Sequence, residues 1–211
     1  MSIHPLDTRT PPRDRDEHWR RRRRLELEHE SRYAGRDCRD HRPDLRDPAL
    51  YLEWFLRLTG LYRRGRHNAD HPVLRTEEFV FGELPAAFDG FTVLQLSDLH
   101  FDGNVERLDA AAAILRNTPA DLCVFTGDYR YHHFGLCEDA VSGMARLVPH
   151  VRTEHGIYAI LGNHDSTELV EAYEDLGVRW LVNEHVELRR GDDALYVAGI
   201  DENHHLMLDD L

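Results

Sequence analysis

Three short apolar runs, each followed at once by a block of polar and ionisable residues, restrict the folds open to this chain more than any other feature. Phe91-Thr92-Val93-Leu94-Gln95-Leu96 leads into Ser97-Asp98-Leu99-His100, and Leu122-Cys123-Val124-Phe125 leads into Thr126-Gly127-Asp128-Tyr129. Gly156-Ile157-Tyr158-Ala159-Ile160-Leu161 leads into Gly162-Asn163-His164-Asp165. Apolar runs this short, rich in β-branched and aromatic residues, read as buried strands. Residues 105–116, alanine-rich with Asn104 available as a cap, and residues 138–147 read as the helices between them. A further helix over 166–176, a strand over 179–182 and a hairpin of 186–188 with 194–198 around Gly191-Asp192 follow. Upstream, residues 78–81 read as an edge strand and 85–90 as a turn. Alternation of this kind predicts an α/β fold with a mainly parallel sheet and helical crossovers. Ligands of such sheets gather beyond the carboxyl ends of the strands, where this chain delivers Asp98, His100, Asp128, Asn163 and His164 to one rim.

Residues 1–75 differ from residues 76–211, and the sequence divides there into an arginine-rich, partly helical extension and a catalytic-type domain. The extension holds 18 arginines against 13 acids, whereas the remainder holds 8 against 26, and no lysine occurs in the chain. The acidic body argues against non-specific nucleic-acid binding, and no specific nucleic acid is predicted. Residues 13–32 read as a solvated charged helix. A second helix opens at Asp47-Pro48, with Pro at its first position, and repeats Leu50, Trp54, Leu58 and Leu61 at three- and four-residue steps. Two readings compete for it: a helix docked on the body or on a second chain, or a basic amphipathic segment over 47–66 in peripheral contact with an anionic membrane. No run approaches the roughly 18 apolar residues of a membrane span. Leu25-Glu26-Leu27-Glu28 after the arginine run fails the pattern of an export signal. The predicted location is cytoplasmic, with the inner face of the membrane as the peripheral alternative. The three cysteines form no C-x-x-C pair, and Cys123, inside an apolar run, reads as a small buried hydrophobe.

The oxygen and nitrogen donors on the rim suit divalent manganese, iron or zinc; thiolates are missing, and calcium asks for more oxygens. Gly127 and Gly162, each just before a polar residue, allow sharp turning or close approach of the backbone. Each block alone also fits helix capping or a turn, because Asp and Asn favour such positions. Their order after three successive strands is what favours a metal site over capping. Tyr129, Arg130, His132 and His133 extend from the second block into the rim, where two readings stand side by side, a substrate phosphate contact led by Arg130 or a solvated loop. His185 reads as a surface or packing histidine.

The ordered blocks D-x-H, G-D and G-N-H-D resemble the calcineurin-like metallophosphoesterase superfamily. The flanking text at 84–93 and 195–201 is similar to its bacterial phosphodiesterase branch, and the resemblance covers about residues 74–211. It implies part of a four-layer α/β/β/α sandwich and two divalent metal ions. In that pattern Asp98 and His100 ligate the first metal, Asp128 bridges, Asn163 ligates the second, and the catalytic His164 stands over the substrate beside Asp98 or Asp128. The implied activity is hydrolysis of a phosphodiester, phosphomonoester or pyrophosphate by a metal-bridging hydroxide, on a phosphorylated small-molecule or lipid-linked substrate. The later family blocks, an isolated H and then G-H-x-H, have no counterpart; His204-His205 follows no glycine. The second metal site is therefore incomplete here, and the chain reads as truncated at its C-terminus. The alternatives are a catalytically incompetent relative that binds metal or a phosphorylated ligand, and a membrane or partner interaction module. Substrate, metal identity and oligomeric state are open at this stage.

Overall fold

A computed structural model describes residues 15–31, 48–102, 105–132 and 137–201. Its helices are α1 (Arg15–Ser31), α2 (Pro48–Leu58), α3 (Leu61–Asp70), α4 (Val105–Asn117), α5 (Glu138–Leu147) and α6 (Glu168–Asp175). Four strands, β1 (Val93–Leu96), β2 (Leu122–Phe125), β3 (Ile157–Ala159) and β4 (Val178–Trp180), lie side by side in chain order, all parallel. Parallel neighbours cannot be joined by a tight turn, and α4, α5 and α6 supply the three crossovers. A hairpin of β5 (Glu184–Arg190) and β6 (Asp193–Gly199) closes around Gly191-Asp192, as the sequence predicts.

The period-2 alternation of the strands sorts their side chains into two cores. Cys123, Phe125, Ala159, Leu161, Val178 and Trp180 meet the helices through Leu108, Leu115, Met144, Leu147, Leu169 and Tyr173. Leu122, Val124, Tyr158, Ile160 and Leu181 point the other way, onto Phe88 and the hairpin residues Val186 and Leu188. The described layers are thus helices, parallel sheet and antiparallel hairpin, the mixed α/β arrangement that the sequence implies. Full burial of a Leu or Phe side chain is worth about 1.5–3 kcal/mol, so the two clusters carry most of the stabilisation. Cys123 is fully buried, and burial pushes its thiol up to about 12.

The structure departs from the sequence reading in three places. Val93 and Gln95 are exposed, because the hairpin covers β2 and β3 and leaves that face of β1 open. Residues 78–81 join no ladder, and Phe79, Val80 and Phe81 are exposed: apolar alternation makes a strand only where a partner edge is at hand. The helix over 13–32 forms as α1, but it is not simply solvated, since Arg22 and Glu26 are buried and Trp19 packs against the helical core. The α2 helix forms at Pro48 as the sequence predicts, with Tyr51, Leu52, Trp54, Phe55 and Leu58 exposed and Leu50 and Leu56 half-buried.

Candidate metal centre

Each polar block begins where its strand ends, and backbone bonds zip the first two blocks together. The amide of Asp98 donates to the Gly127 carbonyl (3.1 Å), that of His100 to Asp128 (3.1 Å) and that of Phe101 to Tyr129 (2.8 Å). Among the described residues, the non-glycine residues with positive φ are Asp98 (54°), His100 (42°), Asp128 (57°) and Asn183 (53°). Left-handed backbone costs an L-residue roughly 1–2 kcal/mol and persists only where the surroundings over-determine it. Three of these four residues are those that the sequence assigns to a metal.

The third block meets the second at a pair of glycines. A Cβ on Gly127 would sit 2.5 Å from the Gly162 amide nitrogen, and one on Gly162 would overlap the Asp128 carboxylate. Only two residues without side chains let the loops approach this closely. The buried Asp165 carboxylate then fastens them: Oδ2 accepts from the amides of Gly162 and Asp128 (both 2.8 Å), and Oδ1 from those of Tyr129 (2.8 Å) and Arg130 (3.4 Å). Burial is the largest influence on the Asp165 pKa and raises it. The amides of Gly162 and Tyr129 pull the other way, and the Asp128 charge adds to the rise.

Ligand atoms of Asp98, His100 and Asp128 all lie within 4.8 Å of one another. His100 Nδ1 is 2.7 Å from the Arg130 carbonyl, so the proton on Nδ1 donates there and Nε2 is left with its lone pair for a metal. Two carboxylates and one imidazole, held in a pre-set backbone, are a donor set that fits a divalent metal cation. The Asn163 amide, in the loop fastened to Asp128, and Asp128 itself are what these blocks offer a second ion.

His164 shares the rim, with its ring centroid 5.4 Å from that of His100 in edge-on contact. Its backbone amide donates to Asp128 Oδ1 (3.2 Å), and its Nδ1 donates to the carbonyl of Tyr131 (2.6 Å). Nε2 is thereby directed away from that bond. Tyr131 is exposed and lies edge-on to His100 at 5.6 Å, so it walls the rim beside both histidines. The sequence reading passed over it. It also passed over Asp102, whose carboxylate accepts from the amides of Tyr131 (2.7 Å) and His132 (3.3 Å). The available signal was a second acid two residues after His100.

Two expected rim contacts are corrected. Arg130 is buried, with Nε donating to the His164 carbonyl (3.0 Å) and a terminal nitrogen 3.3 Å from Cys137 Sγ, so it braces the third block instead of facing a phosphate. Tyr129 is fully buried, its hydroxyl donating to the Phe125 (3.2 Å) and Ile160 (2.9 Å) carbonyls, and it packs on Tyr173 and Trp180. Of the other histidines, His185 is exposed against Tyr196, in keeping with a surface role, whereas His133, His204 and His205 lie outside the described residues. Asp201, at the end of β6, is buried against His18 and Arg22 of α1.

A parallel sheet carrying oxygen and nitrogen metal donors on its carboxyl rim is the layout of a metal-dependent hydrolase. Comparison with known proteins gives the family: residues 91–210 match the calcineurin-like phosphoesterases, and the chain belongs to that family of metal-dependent phosphoester hydrolases. Among its relatives is the uncharacterized metallophosphoesterase YkoQ of Bacillus subtilis, 26% identical over 149 residues that make up 67% of this chain and 54% of that protein. A zebrafish transmembrane protein with a metallophosphoesterase domain is 27% identical over 76% of this chain and 37% of its own length. The uncharacterized metallophosphoesterase YkuE of Bacillus subtilis is 29% identical over 50% of this chain and 37% of its own length. The chain therefore spans about half or less of the curated relatives it matches. No helix among the described residues is long and apolar enough to cross a membrane.

Proposed function

We propose that this chain hydrolyses a phosphoester, whether phosphodiester, phosphomonoester or pyrophosphate, at the rim formed by Asp98, His100, Asp128, Asn163 and His164. The observation that carries the reading is the convergence of the Asp98, His100 and Asp128 ligand atoms within 4.8 Å, on residues held in left-handed backbone. Divalent cations held there would supply Lewis acidity, which acidifies water and takes up charge on a phosphoryl group.

The chain's own residues do the rest. The Arg130 carbonyl fixes the His100 tautomer so that a lone pair, not a proton, faces the metal side. Asp165, through four backbone amides, keeps the Asp128 and Asn163 loops in register. His164, oriented by the Tyr131 carbonyl, would act from Nε2 in its doubly protonated form, neutralising a phosphoryl oxygen or giving the Nε2 proton to the leaving oxygen and keeping the one on Nδ1. Arg130 supports that loop from beneath.

The substrate class is a phosphorylated small molecule or lipid-linked phosphate, and the surface outside the rim favours the latter. The exposed aromatic and aliphatic side chains of α2 run into an α3 carrying Arg63, Arg64 and Arg66, a combination suited to peripheral contact with an anionic bilayer. Co-sedimentation with anionic but not neutral vesicles, lost at high salt, is the expected result; equal binding to both removes this part of the reading.

Activity is tested by metal content after purification and by hydrolysis of bis(p-nitrophenyl) phosphate in added manganese, for the parent and Asp128→Asn. Bound metal with activity that the substitution abolishes is the expected outcome. Absence of metal, with no turnover above the variant, overturns the proposal and leaves a non-catalytic relative.

A further inference from the structure

The helix α1 lies outside the segment that matches the family, yet its buried Arg22 and Glu26 make polar contacts with the third block and the residues that follow it. Arg22, fully buried, pairs with Asp201 through one terminal nitrogen. Its other terminal nitrogen donates to the carbonyls of Gly162 (3.4 Å) and Asp165 (3.3 Å), and Nε donates to Glu26 (2.9 Å). Those two carbonyls bracket Asn163 and His164. Glu26 takes up the chain directly after them: its carboxylate accepts from the Thr167 amide (3.0 and 3.2 Å), the Thr167 hydroxyl (2.8 Å) and the Ser166 hydroxyl (3.3 Å).

Thr167 precedes α6 and makes no side-chain cap of its own. Glu26 therefore does from a distance what a capping residue does locally, satisfying an orphan amide and placing negative charge at the helix start. His18, Arg22 and Glu26 recur at steps of four along one face of α1: Arg22 and Glu26 hold residues 162–167, and His18 joins Arg22 on Asp201.

We infer that Arg22 and Glu26 are positioning residues for the metal centre: α1 sets the placement of Asn163 and His164 by clamping the loop that carries them. This inference rests on the reading of the rim as a metal site. A guanidinium is suited to the task because its planar fork serves Glu26, Asp201 and two carbonyls at once, which a lysine ammonium cannot reach together. Loss of the outer hydrogen bonds that orient a metal site typically weakens metal binding about 10–100-fold.

A simple Arg22→Ala change removes the buried cation that Asp201 and Glu26 share and risks unfolding, so the test uses Arg22→Lys and Glu26→Gln in the full chain, with exposed Arg24→Ala as the helix control. Manganese alone is the probe, titrated by electron paramagnetic resonance, with far-UV circular dichroism and thermal melting on the same samples. The expected result is manganese affinity weakened about tenfold or more in Arg22→Lys and Glu26→Gln, with the folded spectrum retained and Arg24→Ala matching the parent. A lowered melting temperature with manganese affinity within twofold of the parent overturns the inference and makes α1 a structural brace only. Failure of the parent itself to bind manganese overturns the metal-site reading, and this inference with it.

Discussion

Asp165→Asn tests the central claim about how the rim is assembled. The native carboxylate accepts four backbone amides, two on each oxygen. An asparagine has the same shape but one acceptor oxygen, and either orientation of its amide turns an NH2 group toward two N–H donors. Hydrogen bonds to a charged acceptor are worth about 1.5–3 kcal/mol each, so two lost bonds cost roughly 3–6 kcal/mol. Part of this returns, because burial and the nearby Asp128 charge disfavour the native carboxylate and no longer act on a neutral side chain. The net expectation is a destabilisation of about 2–4 kcal/mol, a large share of the 5–15 kcal/mol typical of a domain. Urea unfolding followed by fluorescence reads this directly, since Trp180 is buried against Tyr129. Manganese titration of the same variant should show weakened binding, because the Asp128 amide has lost its anchor. A variant within about 0.5 kcal/mol of the parent, with unchanged manganese affinity, would refute the account of Asp165 as the fastener of the two loops.

Two further substitutions probe neighbouring steps. Gly162→Ala should lower both stability and manganese affinity, because the added methyl overlaps the Asp128 carboxylate and the loops must part; the cost of such overpacking is about 1–3 kcal/mol, and parent-like values in both assays would show that the loops are not in contact. Asp121→Asn should destabilise by about 1–2 kcal/mol near neutrality, since the carboxylate accepts the Thr92 amide and hydroxyl (both 2.7 Å) and pairs with Arg190. Burial opposes ionisation of Asp121, but these partners together outweigh it and hold its pKa below the usual carboxylate value. A depressed carboxylate stabilises the fold above its unfolded pKa of about 3.9 and loses that contribution as pH falls through its folded value. The gap between parent and Asp121→Asn in urea unfolding should therefore be full at pH 6.5 and narrow below about pH 4; a gap that does not change with pH contradicts the assignment.

The readable part of the metal centre was its chemistry and order. Asp98, His100, Asp128, Asn163 and His164 were identifiable because each follows a short apolar run, and in a parallel sheet the carboxyl ends of neighbouring strands must share an edge. Local pattern carries that much because strand periodicity and helix spacing are short-range properties. Arg130 and Tyr129 were misread for a related reason. Their position beside the rim is encoded locally, but the direction of each side chain depends on whether the core or the rim has room for it, and both turn inward.

The amino-acid sequence by itself determined the alternation of strands and helices, the parallel sheet and the family, and it singled out Asp98, His100 and Asp128, whose ligand atoms the fold brings together. Tertiary structure alone decided that Asp165 joins two loops 35 or more residues apart, that Tyr131 and Asp102 shape the rim, and that Glu78–Phe81 finds no ladder. It also decided that one arginine within a run of five is buried while the arginines on either side of it are not. Nothing in a run of identical residues marks Arg22. Its role follows from the angular position at which α1 meets Asp201, Gly162 and Asp165, and that is a long-range property of how the helix packs.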